Sequence, residues 1–210
     1  MQTRMKGLSA VALVVALTVG GLLAARGTAT GAQREVAPQA ETVVLAGGCY
    51  WGVESVFRHV QGVKSVTSGF ATPAAVGRDA SAAPAEAVRL EFDPRQISYH
   101  QILDVFFSVV HDPTQLNRQG PDVGAEYRSL VFVNAAAPLA MVRSYLDSLT
   151  AARVYPHPIV TQLVTLHSFE PVDASQQDYA AKHPTAPYIV INDAPKLRAL
   201  AQRFPRLYHK

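Results

Sequence analysis

The segment 42–60 constrains the fold most, because a strand pattern changes there directly into a helix pattern. Residues 42–46 form a short apolar run typical of a buried strand, and apolar residues recur at helical spacing from Tyr50 onward. Two glycines, which permit a tight turn, stand between them, followed by Cys49, the single cysteine of the chain. The sequence therefore predicts a strand, a glycine turn and a helix that begins beside a thiol.

The position of this thiol suggests that it is reactive. Unpaired backbone N–H groups and the positive end of the helix dipole lie at a helix start, and both favour a thiolate. A single cysteine is more often an inert buried residue, but this setting favours Cys49 as a nucleophile with a lowered pKa. Tyr50 and Trp51 follow it and predict an apolar pocket for a methyl or thioether group, with ordinary core packing as the alternative.

The first 32 residues have the pattern of an export signal. Two basic residues precede an uncharged run over 8–25, and small residues follow it. We predict a signal peptide, or a membrane anchor if it is not cleaved, over 1–32, then a linker over 33–41 and one catalytic domain over 42–210. The expected location is periplasmic or secreted, with membrane contact only through an uncleaved leader.

Composition excludes several classes of protein. The chain carries 19 Lys and Arg against 16 Asp and Glu, and residues 1–32 hold three of the basic residues and none of the acidic ones. The remainder is balanced in charge, so no nucleic-acid partner is indicated. One cysteine excludes an intramolecular disulfide, and no clustered Cys or His motif supports a metal site. Without a heptad pattern, we expect a monomer.

The order of the predicted elements indicates an α+β fold. Ser98 and Gln101 predict a capping box at the start of the second helix. The order β-α-β-β-α-β, followed by helix, strand and helices, predicts a ferredoxin-like split βαβ two-layer sandwich with a C-terminal extension. The segments after the first helix are a strand at 63–70, a loop at 72–85, a strand at 86–92, a helix at 99–110, a loop at 111–126, a strand at 127–133, a helix at 138–152, a strand at 159–166, and helices at 175–182 and 193–203.

Three further residues are candidates for the site. Glu86 has the parity of the apolar residues on its strand, and a carboxylate on an apolar face loses solvation, so its pKa rises and it can act as a general acid. The alternative is a strand-end glutamate exposed to solvent. Tyr127 opens the next strand after a long polar loop and shares a face with Val131 and Val133, and Asp122 precedes it in the loop. A structural role for Tyr127 is the alternative.

Several motifs follow one another along the chain in a distinctive order, and together they resemble those of the peptide methionine sulfoxide reductase A family. The resemblance covers about residues 42–208. The motifs are GGCYWGVE at 47–54, EFDP at 91–94, HDPT at 111–114, LNRQG at 116–120, DVG at 122–124, YRS at 127–129, SFEP at 168–171 and PYIVIN at 187–192.

The resemblance implies a peptide-methionine (S)-S-oxide reductase and assigns catalytic roles. Cys49 attacks the sulfoxide sulfur, Glu86 protonates the oxygen, and Tyr127 donates a hydrogen bond to it. Attack at sulfur needs proton donation because the oxygen is a poor leaving group. The products implied are methionine and a sulfenic acid on Cys49.

The resemblance also assigns the substrate-binding residues and the partners. Tyr50 and Trp51 match the aromatic pair that holds the methyl group, with tyrosine in place of the commoner phenylalanine, and Asp122 matches a polar residue of the pocket. The substrates implied are oxidised proteins or free methionine sulfoxide. The chain has no second, C-terminal cysteine, so the reductant is an external thiol, thioredoxin or another dithiol protein, and no cofactor is expected.

The chain departs from the family around Glu86. A Pro-Thr-Tyr segment and a Gly-His-Ala-Glu run are usual there, whereas this chain has neither the tyrosine that supplies a second hydroxyl nor the histidine. This departure predicts a slower enzyme and motivates an alternative, a non-catalytic module that binds methionine or sulfoxide segments. A cysteine hydrolase that pairs Cys49 with His111 or His167 is a further alternative.

Overall fold

A six-stranded mixed sheet organises the residues that the structure describes. The structure is a computed structural model that describes residues 40–74 and 83–210. The strands are β1 (Glu41–Gly47), β2 (Val63–Pro73), β3 (Ala85–Phe92), β4 (Arg118–Gln119), β5 (Asp122–Val123), β6 (Ser129–Phe132), β7 (Gln162–Val164) and β8 (Leu166–Pro171). The helices are α1 (Tyr50–Arg58), α2 (Tyr99–Val105), α3 (Ala136–Ala151), α4 (Tyr179–Lys182) and α5 (Ala194–Arg203).

The strand order in the sheet is β7-β6-β1-β3-β2-β8, and only the pairing of β6 with β7 is parallel. β4 and β5 form a separate two-stranded hairpin. The chain therefore has a mixed α/β fold. β1 lies in the middle, with Val43 opposite Leu90 of β3 and Ala46 opposite Leu130 of β6. Because β1 and β3 are antiparallel, the end of β1 lies beside the start of β3.

The two faces of the sheet bury different sets of residues. On one face Val88, Leu90 and Phe92 of β3 join the main apolar cluster with residues of α1, α2, α3 and α5. On the other face Ala85 and Ala87 join a smaller cluster. This alternation confirms the predicted parity of the strand.

α1 begins where the sequence predicts it, at Tyr50. Gly48 has φ +93°, a conformation that glycine adopts at no steric cost, and Cys49 is the extended N-cap residue. The buried face of the helix includes Val53 and Phe57. Apolar residues at this spacing place one side of the helix against the sheet.

The capping box of Ser98 and Gln101 is confirmed, since each side chain bonds the backbone N–H of the other. The predicted helix over 99–110 is α-helical only to Val105 and continues as a π-helical turn, Phe106–Val110. The next predicted helix, over 138–152, begins two residues earlier, at Ala136.

Three boundaries in the second half were predicted wrongly. Tyr127 lies in a 3₁₀ turn, Ala125–Tyr127, and not in the strand with Val131 and Val133, because the chain turns back at Gly124 before it joins the sheet. The strand over 159–166 is replaced by β7 and β8, which lie at opposite edges of the sheet. The helix over 175–182 is reduced to the four residues of α4.

Part of the predictions falls on residues that the structure does not describe. The signal peptide or anchor over 1–32, most of the linker over 33–41 and residues 75–82 of the predicted loop lie outside the described ranges. Among the described residues, no helix has the length and hydropathy needed to cross a membrane. Within the same ranges, no three Asp, Glu, His or Cys residues gather as a metal site.

Candidate active site

Cys49 lies at the junction of β1 and α1 and is only 9% exposed. Its sulfur lies near the backbone N–H of Trp51 and the Tyr188 hydroxyl, both of which lower the pKa of the thiol. The structure thus places the thiol in the first turn of the helix, as predicted, and surrounds it with polar groups from distant parts of the chain.

Glu86 is the ionisable residue that most directly accompanies this thiol. It is the second residue of β3, and its Oε2 accepts the backbone N–H of Tyr50 at 3.0 Å. The Cys49 thiol lies near the same carboxylate and lowers its pKa. Burial nevertheless raises the pKa of Glu86 to about 7, and the charge of Asp122 adds to the rise. The expected group with a raised pKa is confirmed.

The predicted lowering of the Cys49 pKa is wrong for this structure. Burial, and then the charge of Glu86, raises the pKa of the thiol to about 12, and the N–H of Trp51 opposes this only in part. The sequence interpretation considered only how the helix start lowers the thiol pKa. The loss of solvation, at a site that also holds a carboxylate, raises that pKa by more than the helix start lowers it. Cys49 is therefore a thiol at neutral pH, and its activation must involve transfer of the thiol proton.

The two aromatic residues after the cysteine are in contact with further aromatic rings. Trp51 stacks on Tyr179 with 3.8 Å between ring centroids and meets Tyr188 edge-on at 5.8 Å. Tyr50 meets Trp51 and Phe70 edge-on, each at 6.1 Å. These rings form an apolar wall beside the thiol, the arrangement that a methyl group requires.

Asp122 and Tyr127 both approach the thiol and Glu86, although Tyr127 comes from a turn. Asp122 lies in the β4–β5 hairpin and accepts a short hydrogen bond from the Tyr188 hydroxyl. Burial raises the pKa of Tyr127 to about 12, with further contributions from Glu86, Asp122 and Cys49. The structure therefore brings together all six residues singled out in the sequence: Cys49, Tyr50, Trp51, Glu86, Asp122 and Tyr127.

Tyr188 is a site residue that the sequence interpretation did not assign. Burial and the hydrogen bond to Asp122 raise its pKa strongly, so it remains a neutral phenol. Its single hydroxyl hydrogen is directed to Asp122. The PYIVIN motif, which contains it, was the available signal, but nothing in the pattern indicated which partner it meets.

A buried ion pair lies under the first turn of α1. Asp193 is 1% exposed, and its Oδ1 bonds Lys196 Nζ at 3.2 Å. A Cβ at Gly52 would collide with both groups, so glycine is required there. Burial raises the pKa of Asp193, and its charge in turn raises the pKa of Cys49. The two residues are three positions apart, but sequence reasoning did not place them under Gly52, because α1 and the start of α5 meet only in the fold.

Neither histidine of the hydrolase alternative contacts the thiol. His111 is buried, with Nδ1 at 3.1 Å from the carbonyl oxygen of Phe106 and Nε2 at 2.8 Å from Ser129 Oγ. Burial lowers the pKa of His111 to about 4, so it is neutral. His167 is exposed on β8. Because both ring nitrogens of His111 are engaged away from Cys49, a Cys–His pair is not formed here.

The site defines a class of protein: a cysteine-based enzyme in which a thiol, a carboxyl group with a raised pKa and several phenols lie beside a wall of aromatic rings. Such an arrangement serves nucleophilic attack combined with proton transfer to the same substrate.

Comparison with known proteins identifies the family. The model of the peptide methionine sulfoxide reductase family matches residues 41–207. Peptide methionine sulfoxide reductase MsrA 2 of Mesorhizobium japonicum is 45% identical over 183 residues, which covers 83% of this chain and 92% of that protein. The MsrA of Ralstonia nicotianae is 42% identical over 176 residues, 78% of this chain and 91% of that protein.

Solved structures agree with this match. Mxr1 of Saccharomyces cerevisiae in its reduced form superposes with a TM-score of 0.59 at 26% identity, over 70% of this chain and 88% of that one. Methionine sulfoxide reductase A of Corynebacterium diphtheriae gives 0.57 at 27% identity, over 71% and 77%. The chain belongs to the peptide methionine sulfoxide reductase family, and methionine sulfoxide reduction is the activity that follows for it.

Proposed function

We propose that this protein reduces the S epimer of methionine sulfoxide, free or in oxidised proteins, through a sulfenic acid on Cys49. The observation that carries the proposal is the carboxylate of Glu86 beside the Cys49 thiol, bonded at 3.0 Å by the backbone N–H of the next residue, Tyr50, and with a pKa raised to about 7. This arrangement places the nucleophile next to the group that supplies the proton. The match to the family model supports the same reaction.

The first step moves one proton and two electrons. Glu86 accepts the proton of the Cys49 thiol while the sulfur attacks the sulfoxide sulfur, and it then delivers that proton to the sulfoxide oxygen. The bond formed between the two sulfur atoms and the sulfur–oxygen bond of the substrate then break as the hydroxyl transfers to the Cys49 sulfur, which becomes a sulfenic acid. The substrate sulfur is reduced by two electrons and the cysteine sulfur is oxidised by two. Tyr127 donates a hydrogen bond to the oxygen as charge develops on it.

The aromatic wall orients the substrate for this attack. In the proposal the methyl group lies against Trp51 and Tyr50, which are held by their contacts with Tyr179 and Phe70. Asp122 holds the Tyr188 hydroxyl beside the thiol. Fixing the methyl group, the oxygen and the direction from which the thiol attacks distinguishes one sulfoxide epimer from the other, because the other epimer can satisfy only two of these three constraints.

The second step restores the thiol without a second cysteine in this chain. An external thiol attacks the Cys49 sulfenic acid, water leaves, and a second thiol resolves the mixed disulfide. The family works with thioredoxin as external reductant and without a prosthetic group. A dithiol protein such as thioredoxin supplies both thiols and is the partner proposed here.

The remaining features of the proposal concern fold and location. The neighbouring order β6-β1-β3-β2, antiparallel throughout, supports a ferredoxin-like split βαβ core. The basic residues and apolar run of 1–32 support export to the periplasm or the exterior, by a signal peptide or an anchor. There the enzyme repairs oxidised proteins as a monomer.

A stereospecific assay tests the proposed function. Purified protein with a dithiol reductant is expected to reduce the S sulfoxide of N-acetylmethionine and to leave the R sulfoxide unchanged. Cys49→Ser is the matched control and is expected to reduce neither. Wild-type protein that binds a sulfoxide peptide without forming a sulfenic acid would instead support the non-catalytic module.

A further inference from the structure

The proposed first step needs hydrogen-bond donors at the sulfoxide oxygen, where negative charge develops. Three phenols lie around the thiol, those of Tyr50, Tyr127 and Tyr188. The hydroxyl of Tyr188 has a single hydrogen, and Asp122 accepts it. Only the other two hydroxyls are therefore available to a substrate without loss of an existing bond.

The ring of Tyr50 is held in place while its hydroxyl is left available. The residue is 8% exposed, its ring meets Trp51 and Phe70 edge-on, and its backbone N–H is bonded to Glu86. Across the parts of the chain that the structure describes, no residue accepts a hydrogen bond from this hydroxyl. Among the described residues this hydroxyl does not belong to the fully buried polar atoms that lack a partner, so it is open to solvent and can bind a ligand without losing an existing bond.

The same groups that react with the substrate surround the side chain of Tyr50. Burial raises the pKa of Tyr50 to about 12, and the next causes are the charges of Glu86, Cys49 and Tyr127. Glu86 and Cys49 also raise the pKa of Tyr127. Both phenols lie near the carboxylate, Tyr50 through its backbone bond to Glu86 and Tyr127 through the packing of its turn against β3, and both stay protonated and able to donate at neutral pH.

The register of the sheet accounts for this position. Phe70 of β2 lies opposite Glu86 of β3, so the ring that packs against Tyr50 is anchored beside the carboxylate. Tyr50 follows the thiol directly in the chain. Its ring can therefore contact the methyl group of the substrate while its hydroxyl reaches the oxygen on the same sulfur atom.

We propose that Tyr50 is a catalytic residue that donates a hydrogen bond to the sulfoxide oxygen, which is held between the hydroxyls of Tyr50 and Tyr127 while Glu86 delivers the proton. This inference rests on the proposed function. It assigns to Tyr50 a role in the rate of the chemical step, in addition to forming the apolar wall.

Tyr50→Phe tests the inference, since it removes the hydroxyl and keeps the ring. In a single turnover at saturating S sulfoxide, formation of the Cys49 sulfenic acid is expected to slow by about 10- to 100-fold, with little change in KM. Tyr127→Phe is expected to slow the same step. Tyr99→Phe is the matched control, because burial alone raises the pKa of Tyr99, and its rate is expected to equal that of the wild type.

The outcomes separate this inference from the proposed function. Wild-type turnover with an unchanged rate in Tyr50→Phe would overturn the role of the hydroxyl and leave the proposed function standing. A change confined to KM would also overturn it, because the residue would then only line the pocket. Wild-type protein that forms no sulfenic acid would contradict the proposed function itself.

Discussion

The thiol of Cys49 lies beside the carboxylate of Glu86, which accepts the backbone N–H of the next residue at 3.0 Å, although the two residues belong to different elements. The antiparallel register of β1 and β3, with Leu45 opposite Val88, brings the end of one strand beside the start of the other. The pair shares one buried site, so each negative charge disfavours the other. Burial, and then this coupling, explains why a thiol at a helix start has a raised pKa.

The rate of the first step should rise with pH through about 7. Glu86 must be deprotonated to accept the thiol proton, and its pKa is about 7. Single-turnover formation of the sulfenic acid, followed from about pH 5.5 to 9, should show this rising limb. Glu86→Gln should slow the step by about 10²- to 10⁴-fold and abolish the limb, because the amide cannot relay a proton. A wild-type rate that falls over this range would contradict the relay.

Cys49 should react slowly with iodoacetamide in the free protein. With a pKa of about 12, roughly one thiol in 10⁴ is ionised at pH 8. Glu86→Gln removes the second-largest cause of the rise and should increase the alkylation rate while it decreases reductase activity. The chain has one cysteine, so the label reports this site alone. Alkylation at the rate of free cysteine would show that the thiol is already activated.

Glu86→Gln should stabilise the fold more at pH 8 than at pH 5. The folded carboxyl keeps its proton up to about pH 7 and the unfolded one only to about 4.5, so the stability of the wild type falls as pH rises between these values. Allowing for partial exposure, the variant should gain on the order of 1–2 kcal/mol at pH 8. Urea unfolding at both pH values measures this gain. An equal gain at both would exclude the carboxyl as its source.

Arg128 should support both Glu86 and Tyr127. Its buried guanidinium donates hydrogen bonds to the carbonyl oxygens of Ala83, Pro84 and Ala125, on the segments that lead into β3 and the 3₁₀ turn. Arg128→Met should lower the free energy of unfolding by about 2–4 kcal/mol, since it removes several buried charged bonds. It should also lower kcat through misplacement of the two groups.

Two variants complete that experiment. The free energy of unfolding and the kcat of Arg128→Lys should lie between those of Arg128→Met and the wild type, because lysine keeps the charge and loses the planar set of donors. Arg143→Met removes a cation from an exposed position of α3 and should change neither stability nor kcat. Equal unfolding free energies for the wild type and Arg128→Met would contradict the supporting role.

The local features of this protein could be predicted from the sequence because neighbouring residues determine them. The strand, glycine turn and helix around Cys49, the capping box at Ser98 and the alternation of β3 were predicted and are confirmed. The parity of Glu86 allowed its raised pKa to be expected. These features depend on backbone periodicity and on hydrogen bonds between residues a few positions apart.

Other features depended on which segments meet in the fold. Tyr188 binds Asp122, and Asp193 lies under Gly52, through contacts between segments far apart in the chain. The turn at Tyr127 and the separation of β7 from β8 followed from long-range pairing, which local patterns do not contain. The positions of turns and of the edge strands of the sheet depend on such pairing, so their boundaries were predicted least well.

The sequence by itself determined that a lone thiol begins a helix beside a strand and that a carboxylate lies on an apolar face. The tertiary structure decided that the thiol is protonated, because burial and the charge of Glu86 outweigh the N–H of Trp51. Solvation and charge are properties of the assembled surroundings. A residue's ionisation therefore depends on neighbours that only the folded chain supplies.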